Sequence, residues 1–121
     1  MSLKTILVNQ LARLISRKVR KDASNAVNCQ KHIFNSLIRN ARNTRFGKDH
    51  GFSSIKNYRD FKNQVPLAGY EELRHYISLI NKGEKDVLWK GIPTFFAKTS
   101  GTTSGSKFIP LTKNSIPNHF G

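Results

Sequence analysis

Apolar positions recur at helical spacing from the start of the chain. Leu3, Leu7, Leu11, Leu14 and Ile15 return every few residues with Arg13, Arg17 and Arg20 on the other side, which predicts an amphipathic helix over residues 3–19. A second stripe, Ala26, Val27, Ile33, Phe34, Leu37, Ile38 and Ala41, covers about a third of a helical wheel and predicts a helix starting near Asp22 or Ser24. Gln30 falls in the middle of that stripe and Cys29 at its edge. The rhythm breaks over residues 44–52, where Gly47 and Gly51 stand among charged side chains and the segment reads as a loop. Ser53 or Ser54 then caps a short helix through Phe61, stopped before Pro66 because the residue preceding a proline avoids helical angles. A fourth helix is predicted from Gly69 to Asn81. It has Glu71 and Glu72 in the first turn, Leu73, Ile77 and Ile80 facing inward, and Gly83 as its stop.

Beyond Asp86 the pattern changes. Val87-Leu88-Trp89 and Phe95-Phe96-Ala97 read as strands around a Gly91-Ile92-Pro93 turn, and Phe108 to Thr112 as a third, with Pro110 marking an edge or a bulge. The expected fold class is α/β, or α+β for a partial domain, with helices over 1–85 followed by strands and a loop over 86–121. Three short strands cannot bury both faces of a sheet, so Trp89, Phe95 and Phe96 are expected to stay partly exposed.

Composition narrows the class. With 121 residues, 37% of them hydrophobic, the chain allows at most one compact unit. Charged residues interrupt every apolar run well short of the ~18–20 residues that span a bilayer, so no transmembrane helix is expected. The apolar run after Lys4 is broken by Asn9 and Gln10 and lacks a small-x-small cleavage site, which argues against a secretory signal and for the cytoplasm. A single cysteine cannot form an internal disulfide or a Cys-based zinc site. The four histidines share no metal-ligating spacing, Glu71-Glu72 suits helix capping, and no catalytic or metal-binding residue is assigned.

The net charge of +14 asks for a partner. Eleven of the 21 basic residues and only two of the seven acids lie in residues 1–50, and such a field attracts phosphate-rich molecules. The first helix shares its Arg-rich, acid-poor pattern with mitochondrial presequences and membrane-surface helices. A docking helix with a solvated basic face is the favoured reading, with no membrane role.

The most unusual stretch is Lys98-Thr99-Ser100-Gly101-Thr102-Thr103-Ser104-Gly105-Ser106-Lys107. Glycines let a backbone approach a ligand, hydroxyls add donors and a lysine adds compact charge, which together make a phosphate cradle. A Gly/Ser/Thr-rich turn has the same composition. Three residues between Gly101 and Gly105, and Ser106 ahead of Lys107, exclude a P-loop, and serine falls one place late for a hydrolase elbow.

The loop resembles the phosphate-binding signature of adenylate-forming enzymes, the luciferase and acyl-CoA synthetase superfamily: Ser/Thr-Ser-Gly-Thr-Thr-Gly with a lysine soon after. Ser104 is an extra residue before Gly105. Within that superfamily the chain is similar to the auxin-responsive acyl-acid amido synthetases and their bacterial relatives. Asn43-Thr44-Arg45-Phe46-Gly47-Lys48, Gly51-Phe52, Asp60-Phe61, Val65-Pro66, Tyr70-Glu71, Tyr76-Ile77, Gly83-Glu84, Val87-Leu88-Trp89 and Phe108-Ile109-Pro110-Leu111-Thr112 look like that family's N-terminal pattern in order, over roughly residues 30–113.

The resemblance implies that residues 1–121 are part of an N-terminal adenylation domain, with the remainder of the enzyme absent and the fragment inactive alone. The complete protein would use ATP and Mg²⁺ to adenylate a small carboxylic acid and pass the acyl group to an amino acid. Thr99, Ser100, Thr102 and Thr103 would donate to phosphate, Gly101 and Gly105 would admit the backbone, Ser104 would extend the loop and Lys107 would supply charge. The competing reading is a basic module on nucleic acid or an anionic surface. It ranks second because Phe34, Phe61, Tyr76, Phe95 and Phe96 fall on expected core faces rather than between basic residues.

Overall fold

The computed structural model describes residues 3–101 and 105–119. It is mostly helical with one small antiparallel sheet, and where the length led to the expectation of one compact unit it divides into two, residues 1–35 and 36–121.

The first unit holds α1 (Leu3–Ser24) and the start of α2 (Ala26–Ala41). Asn25 separates the helices, and its side-chain oxygen accepts from the Asn28 side-chain amide, Nδ2, at 2.6 Å. No residue of α1 is buried, so the expected docking face has no cover among the described residues. Gln30, placed by its spacing inside an apolar stripe, is exposed, because Val27 and Ile33 on that stripe are exposed too.

The second unit begins within α2, where Ile38 and Ala41 are buried. The segment expected to be a loop contains a short helix, α3 (Arg45–Asp49), followed by a single 3₁₀ turn over Phe52–Ser54. Thr44 explains the difference. It is fully buried, its Oγ1 donates to the Ala41 carbonyl at 2.7 Å and accepts from Gly47 N at 3.0 Å, and it thereby caps α3. Gly47 is buried, and a Cβ there would strike the Ala41 carbonyl, so this glycine permits close approach instead of breaking a helix. The following helix, α4 (Tyr58–Gln64), starts later than expected and is capped by Asn57, not by Ser53 or Ser54: Asn57 Oδ1 accepts from Asp60 N at 3.0 Å.

α5 (Tyr70–Asn81) matches the reading at both ends. Glu72 Oε2 accepts from Gly69 N at 2.9 Å, and Gly83, at φ +88°, sends its N–H to the Ile80 carbonyl at 2.9 Å. Tyr76, Ile77 and Ile80 are buried with Val87, and Phe46, Tyr70, Leu73, Leu79 and Leu88 pack against them. The Tyr76 ring meets Phe46 edge-on at 5.2 Å between centroids, and its hydroxyl donates to Asp49 at 2.9 Å.

Val87-Leu88-Trp89 is not a strand. The Asp86 and Val87 carbonyls accept from Arg45 N at 2.7 Å and Phe46 N at 3.0 Å, so they satisfy the open N–H groups at the start of α3 instead of a ladder. Asp86, at φ +56°, and Gly91, at φ +82°, close this segment: Gly91 N donates to Asp86 Oδ1 at 2.6 Å, and Asp86 N donates to the Gly91 carbonyl at 3.0 Å.

β1 (Phe95–Thr99) and β2 (Lys107–Leu111) pair antiparallel in the register Phe95 with Leu111 through Thr99 with Lys107. Phe95 and Phe96 do not reach a core; they are 61% and 37% exposed, and both faces of a two-stranded ribbon lack sufficient cover. A last helical turn, α6 (Ile116–His119), follows. Among the described residues no helix is long and apolar enough to cross a membrane.

Candidate functional site

The hairpin sets the geometry of the Gly/Ser/Thr-rich loop. Thr99 and Lys107 are partners in the terminal pair of the ladder, so the loop leaves and re-enters the sheet at one point. Thr99 and Lys107 are half-buried, whereas Ser100, Gly101, Gly105 and Ser106 are exposed. A Cβ on Gly101 would strike the Gly105 carbonyl, so the two glycines bring the limbs of the loop closer than other residues allow. Gly105 has φ +79°, a conformation that glycine adopts without strain. Thr102, Thr103 and Ser104 lie outside the described residues.

The base of the loop is fixed to α5. Phe108 N donates to the Tyr70 hydroxyl at 2.9 Å, tying the second residue of β2 to the first residue of that helix. Lys107 Nζ lies 5.8 Å from the centre of the Tyr70 ring, and the Arg74 guanidinium lies 6.0 Å from the same ring, so one aromatic carries two cations. Arg74 also holds Glu71 at 2.7 Å. That hydrogen bond, foremost, keeps the Glu71 carboxyl below its ordinary range, with the Arg74 and Lys107 charges acting in the same direction against desolvation. On the other strand, Lys98 Nζ lies 6.0 Å from the centre of the Phe108 ring.

Behind the hairpin an open apolar groove of about 350 Å³ runs between α5, the segment 87–93 and β2, lined among others by Leu73, Ile77, Trp89, Phe108 and Pro110. Trp89 Nε1 is buried there without a hydrogen-bond partner among the described residues. Among the described residues no three His, Cys, Asp or Glu side chains gather into a metal-binding group.

The structure therefore brings Thr99, Ser100, Gly101, Gly105 and Lys107 to one end of the hairpin. Tyr70 and Arg74 were not singled out as site residues, although they flank Lys107. Their i, i+4 spacing places them on one face of α5, but nothing in that spacing says that β2 crosses there.

Comparison with known proteins identifies the architecture. Residues 15–120 match the GH3 family N-terminal domain, and the chain belongs to that family. Among its relatives are three proteins of Arabidopsis thaliana. Indole-3-acetic acid-amido synthetase GH3.3 is 27% identical over 79 residues, 64% of this chain and 13% of that protein. Indole-3-acetic acid-amido synthetases GH3.4 and GH3.2 are 27% and 26% identical over 89 residues, 72% of this chain and 15% and 16% of theirs. The matched segment thus amounts to about a sixth or less of these relatives' length.

Proposed function

We propose that this chain supplies the phosphate-binding hairpin of an ATP-dependent acyl-acid amido synthetase of bacterial type, acting in the cytoplasm as part of an N-terminal adenylation domain. The observation that carries the reading is the combination of GH3 family membership with a loop whose ends are clamped at Thr99 and Lys107 and whose limbs meet at Gly101 and Gly105.

Adenylation sends a carboxylate onto the α-phosphate of ATP and releases pyrophosphate, so negative charge grows on the leaving group. Donors fixed in place before the reaction, with a cation beside them, are what such charge requires. Ser100 is exposed where it can donate, the bare backbone at Gly101 and Gly105 admits a phosphate, and Lys107 supplies charge at the base of the loop. In this reading Thr99, Thr102 and Thr103 add hydroxyls and Ser104 lengthens the turn. Mg²⁺ enters with the nucleotide's phosphates, and no residue here is assigned to it. The acyl group then passes to an amino acid; the Arabidopsis relatives are by name indole-3-acetic acid-amido synthetases.

The test is isotope exchange between pyrophosphate and ATP by the polypeptide encoded by the whole reading frame. Exchange that depends on an added carboxylic acid and on Mg²⁺ is expected. ATP turnover indifferent to every carboxylic acid tried would remove the reading. Residues 1–121 alone are expected to catalyse no exchange.

A further inference from the structure

The adenylation reading makes no use of α1. In this helix Leu3, Leu7, Leu11 and Leu14 are 76%, 65%, 59% and 61% exposed, an apolar stripe laid open to solvent. These four leucines all precede residue 15, where the family match begins. The same helix carries six basic side chains and a single acid, Asp22, close to its end. At about 100° per residue, Arg13, Arg17 and Arg20 fall along one flank of the leucine stripe. Leu3 to Leu14 spans roughly 17 Å along the axis, long enough to lie flat on a surface.

These features suit a partner that is apolar and anionic at once. A bilayer with anionic headgroups is both: the leucines sink to the headgroup and acyl boundary while the arginines meet lipid phosphates. Nucleic acid would engage the arginines but leave the leucines in water, and α1 has no aromatic side chain to stack on bases. No described helix is long and apolar enough to cross a membrane, and the contact considered for α1 is a peripheral one.

Against the sequence expectation of a docking helix with no membrane role, and because no residue of α1 is buried, we propose that α1 lays the protein on an anionic membrane surface, its leucine stripe inserted at the boundary and its arginine face on the headgroups. The helix is then a mooring for the enzyme, separate from the loop chemistry and independent of ATP. Each basic side chain near such a surface raises binding roughly fivefold.

The polypeptide encoded by the whole reading frame is sedimented with phosphatidylcholine vesicles made with and without phosphatidylserine. It is expected to pellet with the anionic vesicles and stay in the supernatant with neutral ones. The Leu7→Glu, Leu11→Glu double variant should lose pelleting, and the Arg13→Gln, Arg17→Gln, Arg20→Gln triple variant should weaken it roughly a hundredfold. Circular-dichroism melting curves unchanged in both variants would assign the loss to the surface and not to unfolding. Pelleting indifferent to phosphatidylserine, or retained by the glutamate variant, would overturn the proposal. So would salt-sensitive binding to single-stranded DNA without vesicle binding. Slow amide exchange in α1 before any lipid is added would do the same, because the stripe would then be covered by the protein itself.

Discussion

α1 and α5 are both amphipathic, yet α5 buries Tyr76, Ile77 and Ile80 whereas α1, nearly twice as long, buries nothing. Their ends differ as well. α5 has two acids in its first turn, a carboxylate on its leading N–H and a glycine stop, whereas α1 has no acid in its first turn. Periodicity predicts that a helix has an apolar face; it does not say what covers that face. In α5 the cover comes from Val87, just beyond the helix, and from Phe46 on α3, well before it in the chain.

The largest expected contrast follows directly. Ile77→Ala removes packing from the buried face of α5 and should cost about 2–5 kcal/mol, whereas Leu11→Ala on exposed α1 should stay within about 0.5 kcal/mol. Urea unfolding of the two variants, read in parallel, checks this, and similar losses in both would erase the distinction. Next in size, Gly47→Ala drives a Cβ into the Ala41 carbonyl and should cost about 1–3 kcal/mol, measured the same way. Thr44→Ala strips the cap from α3 and should cost about 1–2 kcal/mol, with faster amide exchange at Gly47.

The smallest effect at neutral pH appears only in alkali. Burial, reinforced by the hydrogen bond to Asp49, pushes the Tyr76 phenol up from 10.0 to about 12. The folded chain keeps this proton where the unfolded chain loses it, so the associated stability is intact below pH 10 and is lost as pH rises to about 12. Unfolding midpoints measured across that window should fall, and Tyr76→Phe should flatten the fall. A variant with an unaltered slope would show that the phenol is not responsible.

How legible each part was depends on where its partners lie in the chain. α5 carries its stripe, its glutamate cap and its glycine stop within fifteen residues, so the reading located all three. α3 was unreadable because Thr44 and Gly47 look like loop residues until the Asp86 and Val87 carbonyls arrive to cover the helix start. Val87-Leu88-Trp89 misled for the converse reason. Its composition suits a strand, but its carbonyls are engaged elsewhere. The Gly/Ser/Thr-rich loop stood out by residue type, and the pairing of Thr99 with Lys107 explains how its ends are held. The approach of Tyr70 and Arg74 to Lys107 is a tertiary fact, invisible to local pattern.

The central claim is that this hairpin loop binds the phosphates of ATP, and carboxylate-dependent exchange in Ser100→Ala, Thr103→Ala and Lys107→Ala tests it most directly. In the polypeptide encoded by the whole reading frame each variant should lower the exchange rate by roughly 10²–10³-fold, the worth of one donor aimed at developing charge, while the melting temperature stays unchanged. Exchange within twofold of the unaltered protein in all three would contradict the account and leave Thr99 to Lys107 a connector between two strands.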